Sequence, residues 1–321
     1  MNKYIRMIYI VSLLAISTVA YAQKKEVVEP IPFGDMDSWL VRVVDESLLI
    51  GGKTKYLYEV AKGDTLYNNT PYHNKQSPWA SSTVLAKVSG ITKASISVFP
   101  EKRGNGYCAR LETLFDQVKV LGLINIKVLA SGTLFLGEMI EPIKDTKNPQ
   151  SKLITGVPFK KRPKALQFDY KVTTGGDCIR ATGFSKQKQL DRKDMAEVHI
   201  LLQNRWEDEE GNIHAERVAT GWKRFQKSVT TWQNGYRIPI YYGDITQKDF
   251  YKPYMKLRNE QDEVYYTRNS KGEMVPILEE KWSNSMAEPT HIILQFSSSN
   301  GGAYIGNPES KFWIDNVSLV Y

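Results

Sequence analysis

The sequence has few of the residues on which metal and thiol chemistry depend. Its 321 residues include two cysteines and four histidines. The histidines do not stand at the spacings that zinc sites use, and neither cysteine lies in a Cys-x-x-Cys pair or a histidine-paired context. A Gly-x-Ser-x-Gly motif is absent, and Gly301 and Gly302 follow a predicted strand with no helix after them, unlike a phosphate-binding loop. These absences argue against zinc, thiol, serine-hydrolase and nucleotide-dependent enzymes.

Long apolar stretches are also scarce, and the one present lies at the start of the chain. Residues Met7–Ala20 are mostly apolar, follow the basic residues Lys3 and Arg6, and precede a small-x-small site that ends at Ala22. This combination is typical of a secretory signal peptide. A membrane anchor is the alternative, but a spanning helix needs about 20 apolar residues, and serine and threonine interrupt this run. We therefore predict a signal peptide over residues 1–22 and no transmembrane segment in the mature chain.

The predicted destination is the periplasm, the outer-membrane surface or the extracellular space. No cysteine lies close to the predicted cleavage site, so nothing there offers a lipid attachment point. Because such compartments are oxidising, Cys108 and Cys178 could pair in a disulfide. The alternative is that both are buried free thiols.

The charge of the chain is mildly basic and evenly spread. The formal net charge is +8, and removal of Lys3 and Arg6 with the signal peptide leaves +6, two fewer. Basic residues are dispersed among acids, and neither a basic patch nor a nucleic-acid-binding module is visible. We therefore expect no nucleic-acid partner.

Strand patterns dominate the rest of the sequence. Short segments rich in β-branched and aromatic residues are bounded by Gly, Pro, Asn and Asp. Apolar and polar residues alternate in several of them, including Ala165–Val172 and His291–Ser297, as half-buried strands require. The sequence predicts an all-β sandwich or barrel. We expect a leader over residues 23–30 and an insertion over about residues 246–289, which is either a specificity loop or a simple surface loop.

Six segments resemble a known family in their order and spacing. They are Gly104–Thr113 (GNGYCARLET), Ala130–Gly137 (ASGTLFLG), Gly156–Phe159 (GVPF), Arg162–Lys171 (RPKALQFDYK), Phe296–Ser299 (FSSS) and Ser310–Tyr321 (SKFWIDNVSLVY). Over residues 31–321 the chain resembles the putative carbohydrate metabolism domain (PCMD) family of Bacteroidetes. The resemblance implies one jelly-roll β-sandwich over these residues, related in shape to carbohydrate-binding modules and some glycoside hydrolases, and a role in glycan acquisition at the cell envelope.

The two ends of the predicted domain suggest a structural calcium ion. The opening segment around Asp37 and the closing segment around Asp315 resemble the first and last strands of jelly-roll binding modules, where carboxylates often hold calcium. Calcium takes six to eight oxygen ligands, and these two residues would supply two of them. The alternative is that both carboxylates are exposed at loops.

Candidate glycan-binding residues fall into two groups, because sugars are held by aromatic rings and by polar side chains. The aromatic candidates are Trp79, Trp232, Tyr241, Tyr242 and Tyr265. The polar candidates on predicted strand faces are Arg110, Gln167, His199, Gln203 and Gln295. The alternatives are core packing for the aromatic group and an ordinary solvated sheet face for the polar group.

Catalysis would require a pair of carboxyl groups. Glu112 and Asp169 could provide it if their strands are adjacent, although Arg110 beside Glu112 suggests a structural salt bridge instead. Non-catalytic glycan binding is therefore the favoured hypothesis. A glycoside hydrolase or lyase is the second, and an adhesive or structural envelope protein with a protein partner is the third.

Overall fold

The structure, a computed structural model, describes residues 26–88, 90–120, 124–145, 147–183, 186–260 and 263–321. The predicted signal peptide and the first three residues of the predicted leader lie outside these ranges. The later leader residues Val28–Pro30 form a strand that pairs with Ser318–Val320. No helix among the described residues is long and apolar enough to cross a membrane.

The described residues form 26 β-strands and three short 3-10 helices, and no α-helix. The helices are Leu48–Ile50, Pro149–Lys152 and Pro253–Met255. The first thirteen strands are β1 (Val28–Pro30), β2 (Trp39–Asp45), β3 (Thr54–Val60), β4 (Leu66–Tyr67), β5 (Trp79–Ser81), β6 (Val84–Val88), β7 (Ile91–Ser95), β8 (Val98–Arg103), β9 (Gly106–Glu112), β10 (Leu114–Val120), β11 (Ile124–Ala130), β12 (Thr133–Met139) and β13 (Leu153–Thr155). The remaining strands are β14 (Val157–Pro158), β15 (Ala165–Thr173), β16 (Asp177–Arg180), β17 (Lys188–Lys193), β18 (Ala196–Glu207), β19 (Ile213–Phe225), β20 (Val229–Pro239), β21 (Tyr241–Tyr242), β22 (Tyr265–Arg268), β23 (Met274–Trp282), β24 (His291–Ser297), β25 (Ile305–Gly306) and β26 (Lys311–Val320).

Two large sheets form the body of the protein. The first sheet has the order β20-β15-β26-β9-β8, with β1 added to β26. The second sheet has the order β13-β12-β24-β18-β19-β23-β22, with β5, β14 and β21 added at strand ends. The predicted all-β fold is therefore confirmed.

The main hydrophobic core lies between these sheets. Leu166, Phe168, Tyr170 and Val172 of β15 are buried in it, as the alternation in the sequence predicts. Side chains from the two sheets meet directly: the rings of Phe168 and Phe296 pack edge to face, with centroids 5.1 Å apart. Burial of such rings between sheets supplies much of the free energy of folding.

Residues 39–95 contribute two smaller sheets, with the orders β3-β2-β4 and β6-β7. The side chains of Val44, Leu57, Leu85 and Ala94 form a small core between them. Arg42 on β2 ties this unit to the segment after β12, since its guanidinium donates to Glu59 at 2.7 Å and to Glu141 at 2.6 Å.

The segment predicted as an insertion at residues 246–289 covers the outer face of the second sheet. Its strand β23 joins that sheet parallel to β19. A second hydrophobic core forms beneath it, and includes Leu201 and Ile293 of the sheet and Met255 and Ile277 of the segment. The interpretation of this segment as a simple surface loop is therefore wrong.

The two cysteines do not form a disulfide. Cys108 lies on β9 and Cys178 on β16, and both are buried free thiols. The two strands belong to different sheets, and Cys178 instead contacts the carboxylate of Asp194 at 3.8 Å. The disulfide alternative left open by the sequence is therefore wrong.

Candidate functional site

The outer face of the first sheet carries a network of ion pairs. Arg103 lies at its centre and donates to Asp169 at 2.8 Å and to Asp315 at 2.5 Å. The ring of Trp232 packs against the Arg103 guanidinium, 3.8 Å from ring centroid to Cζ. Trp232 lies on β20 and is partly buried, and a guanidinium covers one face of its ring.

The predicted catalytic carboxylates are not brought together. Strand β26 lies between the strands of Glu112 and Asp169: Glu112 pairs with Lys311, whereas Asp169 pairs with Asp315. Two strand spacings and four residues of rise place their Cα atoms roughly 16 Å apart. Hydrolytic carboxyl pairs stand about 5–9.5 Å apart. The expectation that these residues lie on adjacent strands is therefore wrong.

Each of these carboxylates has an ion-pair partner instead. Glu112 forms ion pairs with Arg110, whose Nε lies 3.1 Å from its carboxylate, and with Lys311, whose Nζ lies 2.8 Å from it. Gln167, a predicted polar contact on the same face, accepts from Arg237 at 2.8 Å. The contacts of Glu112 with Lys311 and of Gln167 with Arg237 hold neighbouring strands together, as cross-strand pairs do.

The proposed calcium ligands do not fit a calcium ion. Burial raises the pKa of Asp315 to about 6, and the charge on its carboxylate is met by the Arg103 guanidinium. Asp37 accepts a hydrogen bond from the Tyr107 N–H at 2.7 Å. Within the described ranges, no group of three or more His, Cys, Asp and Glu side chains could hold a metal ion. A calcium site needs several convergent oxygens, and here a guanidinium occupies the place of the cation.

The polar face of the second sheet is buried rather than open. His199 and Gln203 lie beneath residues 246–289 and have almost no exposed surface. The His199 ring stacks on Trp222 with centroids 4.5 Å apart, and its Nε2 lies 2.8 Å from the hydroxyl of Tyr265. Burial lowers the pKa of His199 well below its ordinary value. Gln295 pairs with His199 on the neighbouring strand. The structure therefore brings these predicted residues together, but as a covered polar cluster and not as a groove.

Three of the five predicted aromatic residues are committed to packing. Trp79 has no exposed surface, and its indole N–H donates to the carbonyl of Pro32 at 2.9 Å. Tyr265 is buried. Tyr242 donates to the carbonyl of Pro163 at 2.9 Å, and Arg162 covers its ring at 4.0 Å. These rings cannot lie flat on a sugar, so their prediction as a binding platform is wrong.

Tyr241 is different, because it lines an open cleft of about 300 Å³. Its side chain is 39% exposed and stacks on Phe250, with ring centroids 4.0 Å apart and an interplanar angle of 24°. Trp222, Tyr236 and Tyr254 also line this space. We call it the aromatic cleft and define it by these five rings.

The cleft forms where two strand edges and the covering segment meet. Residues 221–225 of β19 pair with β18 on one side, and no other described strand pairs with them there. Strand β20 is the edge of the first sheet and supplies Tyr236. The covering segment, residues 246–289, closes the third side with Phe250 and Tyr254, and Ile245 directly before it also lines the cleft. The sequence analysis named Tyr241 but not the other four rings. The many tyrosines of residues 246–289 could have indicated Tyr254.

One comparison with known proteins identifies a family. A family model described as "putative carbohydrate metabolism domain" matches residues 54–320. A search of curated proteins finds no match.

Two crystal structures are similar to the chain. One, of a putative glycoside hydrolase from Bacteroides thetaiotaomicron, has 17% identity and a TM-score of 0.42, and the match covers 70% of this chain and 57% of that one. The other, of a putative glycoside hydrolase from Bacteroides vulgatus, has 16% identity and a TM-score of 0.39, with 91% and 94% covered. The match thus spans little more than half the length of the first of these proteins.

Proposed function

The chain belongs to the putative carbohydrate metabolism domain family, and from that membership we propose that it binds a glycan in the aromatic cleft without cleaving it. Export to the cell envelope, with loss of residues 1–22, is part of the same proposal. There the protein would hold a glycan for uptake or for other envelope proteins.

The aromatic cleft is the observation that carries this proposal. Ligand sites are concave, largely apolar spaces of about 300–1,000 Å³ with a few polar groups, and this cleft lies at the lower end of that range. Aromatic side chains combine a large apolar face with, in Tyr and Trp, a polar tip. Such rings can cover the C–H face of a sugar while their polar tips reach its hydroxyls. The size favours a short stretch of a glycan.

The lining of the cleft favours binding over hydrolysis. Among the described residues that line it, none is Asp or Glu. Glycoside hydrolysis generally uses two carboxyl groups on either side of the scissile bond. The carboxylates predicted for this role, Glu112 and Asp169, are separated by a strand and held in ion pairs.

Native affinity electrophoresis tests the proposal. The purified protein is run through gels that contain single plant or host polysaccharides, beside the Tyr241→Ala/Phe250→Ala variant. Tyr67→Ala serves as the control, since Tyr67 is 79% exposed and lies on the small β4 strand outside the cleft. We expect at least one polymer to retard the protein and the control, and the cleft variant to migrate freely.

Two results would overturn the proposal. Free migration of the folded protein in every polymer would remove glycan binding, and equal retardation of the cleft variant would place binding elsewhere. A reducing-end assay on the bound polymer covers the non-catalytic part of the proposal. Sustained release of reducing ends would show that the protein cleaves the glycan, as a hydrolase or a lyase does.

A further inference from the structure

The aromatic cleft has a one-sided charge. Its lining includes the cationic residues Lys223, Arg237 and Lys252 and, among the described residues, no carboxylate. This composition differs from the outer face of the first sheet, where Arg103 and Arg110 are each matched by acids. The cleft therefore presents rings and positive charge together.

The three cationic side chains of the cleft differ in whether they already have a partner. Arg237 donates to Glu26 at 2.7 Å and to Gln167 at 2.8 Å, so its guanidinium is engaged outside the cleft. Lys223 and Lys252 are exposed, and neither has an ion pair with any residue in the described ranges. Two ammonium groups thus remain available at the cleft.

The two lysines approach the cleft from different walls. Lys223 follows Trp222 on β19, at the stretch where that strand has no second neighbour among the described strands. Lys252 lies on the covering segment, directly before the 3-10 helix that carries Tyr254. Both lysines line the same cleft as the five rings.

We propose that the cleft selects an anionic glycan, one whose sugars carry carboxylate or sulfate groups. This inference rests on the proposed function, since it names the substrate class of the same site. Hydrogen bonds from an ammonium to an anionic oxygen are shorter and stronger than those between neutral groups. A lysine acts as a mobile point charge, so it can follow a carboxylate or a sulfate at more than one ring position. A neutral glycan would make only the stacking contacts.

Single-stranded nucleic acid is bound by the same combination, because aromatic rings stack its bases and cationic side chains pair with its phosphates. Membership of a carbohydrate family favours a glycan. The test therefore includes a single-stranded oligonucleotide, and comparable affinity for that probe would overturn the inference.

Matched polymers test the inference directly. Polygalacturonate is compared with its methyl ester, and chondroitin sulfate with its desulfated, carboxyl-methylated form, so that the members of each pair share a sugar backbone and one carries the negative charges. Isothermal titration calorimetry should show at least about ten-fold tighter binding to the anionic member of a pair, which is about 1.4 kcal/mol. The preference should shrink as salt is added, because exposed charges are screened.

A pair of variants separates local charge from net charge. Lys223→Gln/Lys252→Gln should lose the preference and keep the weaker binding to the neutral polymer. Lys227→Gln/Lys248→Gln removes the same charge from two exposed lysines that do not line the cleft, and it should keep the preference. A similar loss in both variants would attribute the preference to net charge and overturn the inference.

The outcomes also separate this inference from the proposed function. Equal binding to both members of each pair, or binding to neutral polymers only, would overturn the anionic preference and leave glycan binding intact. Absence of binding to any polymer, in calorimetry and in gels, would overturn the proposed function itself.

Discussion

Arg217 on β19 and Glu279 on β23 form an ion pair in which neither side chain has exposed surface. The Glu279 carboxylate also accepts from the side chain of Gln203 and from the backbone N–H of Arg258, the latter at 2.7 Å. These contacts fasten the covering segment to the second sheet. The segment also supplies one wall of the aromatic cleft, so this pair helps to hold that wall in place.

Replacement of Glu279 by Gln should destabilise the protein severely. The change would leave the Arg217 guanidinium buried without a countercharge, which costs about 3–5 kcal/mol. Urea denaturation gives the free energy of unfolding. The neighbouring Glu280→Gln is the matched control, because Glu280 is about half exposed and pairs with His214 at the surface, where such pairs contribute about 0–1 kcal/mol. Equal effects of the two variants would contradict the structural role given to Glu279.

Replacement of Trp79 by Ala should reduce stability rather than glycan recognition. Trp79 is fully buried and packs near Phe296, with ring centroids 6.4 Å apart. Removal of a large buried aromatic side chain costs about 3–5 kcal/mol. The variant should unfold at a clearly lower temperature, and its folded fraction should bind glycan as the unmodified protein does. A loss of binding at full stability would move Trp79 into the site.

Replacement of Trp232 by Ala distinguishes the aromatic cleft from the outer face of the first sheet. Trp232 lies against Arg103 on the outer face of the first sheet, and it does not line the aromatic cleft. We expect less than about a two-fold change in glycan affinity for Trp232→Ala and at least about a ten-fold loss for Tyr241→Ala, which is 1.4 kcal/mol or more. Calorimetry with the polymer identified in gels measures both. The opposite ranking would place the site on the first sheet.

Stability should depend on the protonation of Glu59. Burial raises the pKa of Glu59 to about 7 even though Arg42 lies beside it, whereas an unfolded chain has a Glu pKa of about 4.3. The folded protein therefore binds a proton that the unfolded chain releases, and this contribution to stability is lost as pH rises from about 4.5 through 7.

Glu59→Gln should remove that dependence. Relative to the unmodified protein, the variant should gain up to about 3 kcal/mol of stability between about pH 4.5 and 8, from the size of the pKa difference. Denaturation at a series of pH values measures the change. A constant difference across this range would show that Glu59 is ionised throughout.

Both cysteines should resist modification in the folded protein. Burial raises the pKa of Cys108 to about 12 and that of Cys178 to about 11, and the thiolate is the reactive form. An aromatic disulfide reagent at mildly alkaline pH should find no reactive thiol until denaturant is added, and then two per chain. A reducing agent should leave the melting temperature unchanged. Unreactive cysteines in denaturant would instead reveal a disulfide.

The local pattern of the sequence predicted individual strands well. Alternation in Ala165–Val172 and in His291–Ser297 correctly assigned the residues that face the main core, although Asp169 and Ile293 on the opposite faces are buried as well. This succeeds because the direction of successive side chains depends only on strand geometry. The residues of the family motifs likewise pointed to the family that the comparison found.

The arrangement of the strands was beyond the same reasoning. Nothing in the sequence around Glu112 or Asp169 indicates that strand Lys311–Val320 lies between them. Similarly, the position of His199 on the outer face of its strand suggested that it is exposed. Tyr265, which is 66 positions later in the sequence, covers it instead. Burial by a distant segment depends on topology, which a local pattern does not contain. For that reason only Tyr241 among the predicted platform residues lies in the cleft.

The central position of β26 has a consequence for biosynthesis. This strand joins the pair β8–β9 to the pair β15–β20, which have no other link within the first sheet among the described strands. While a ribosome is still making the chain, the two pairs cannot join into one sheet until residues 311–320 emerge. Pairing between strands so far apart in sequence is slow, and incomplete sheets expose aggregation-prone edges. The nascent chain should therefore depend on chaperones, and the same delay would keep an exported chain unfolded long enough to be threaded through a translocation channel.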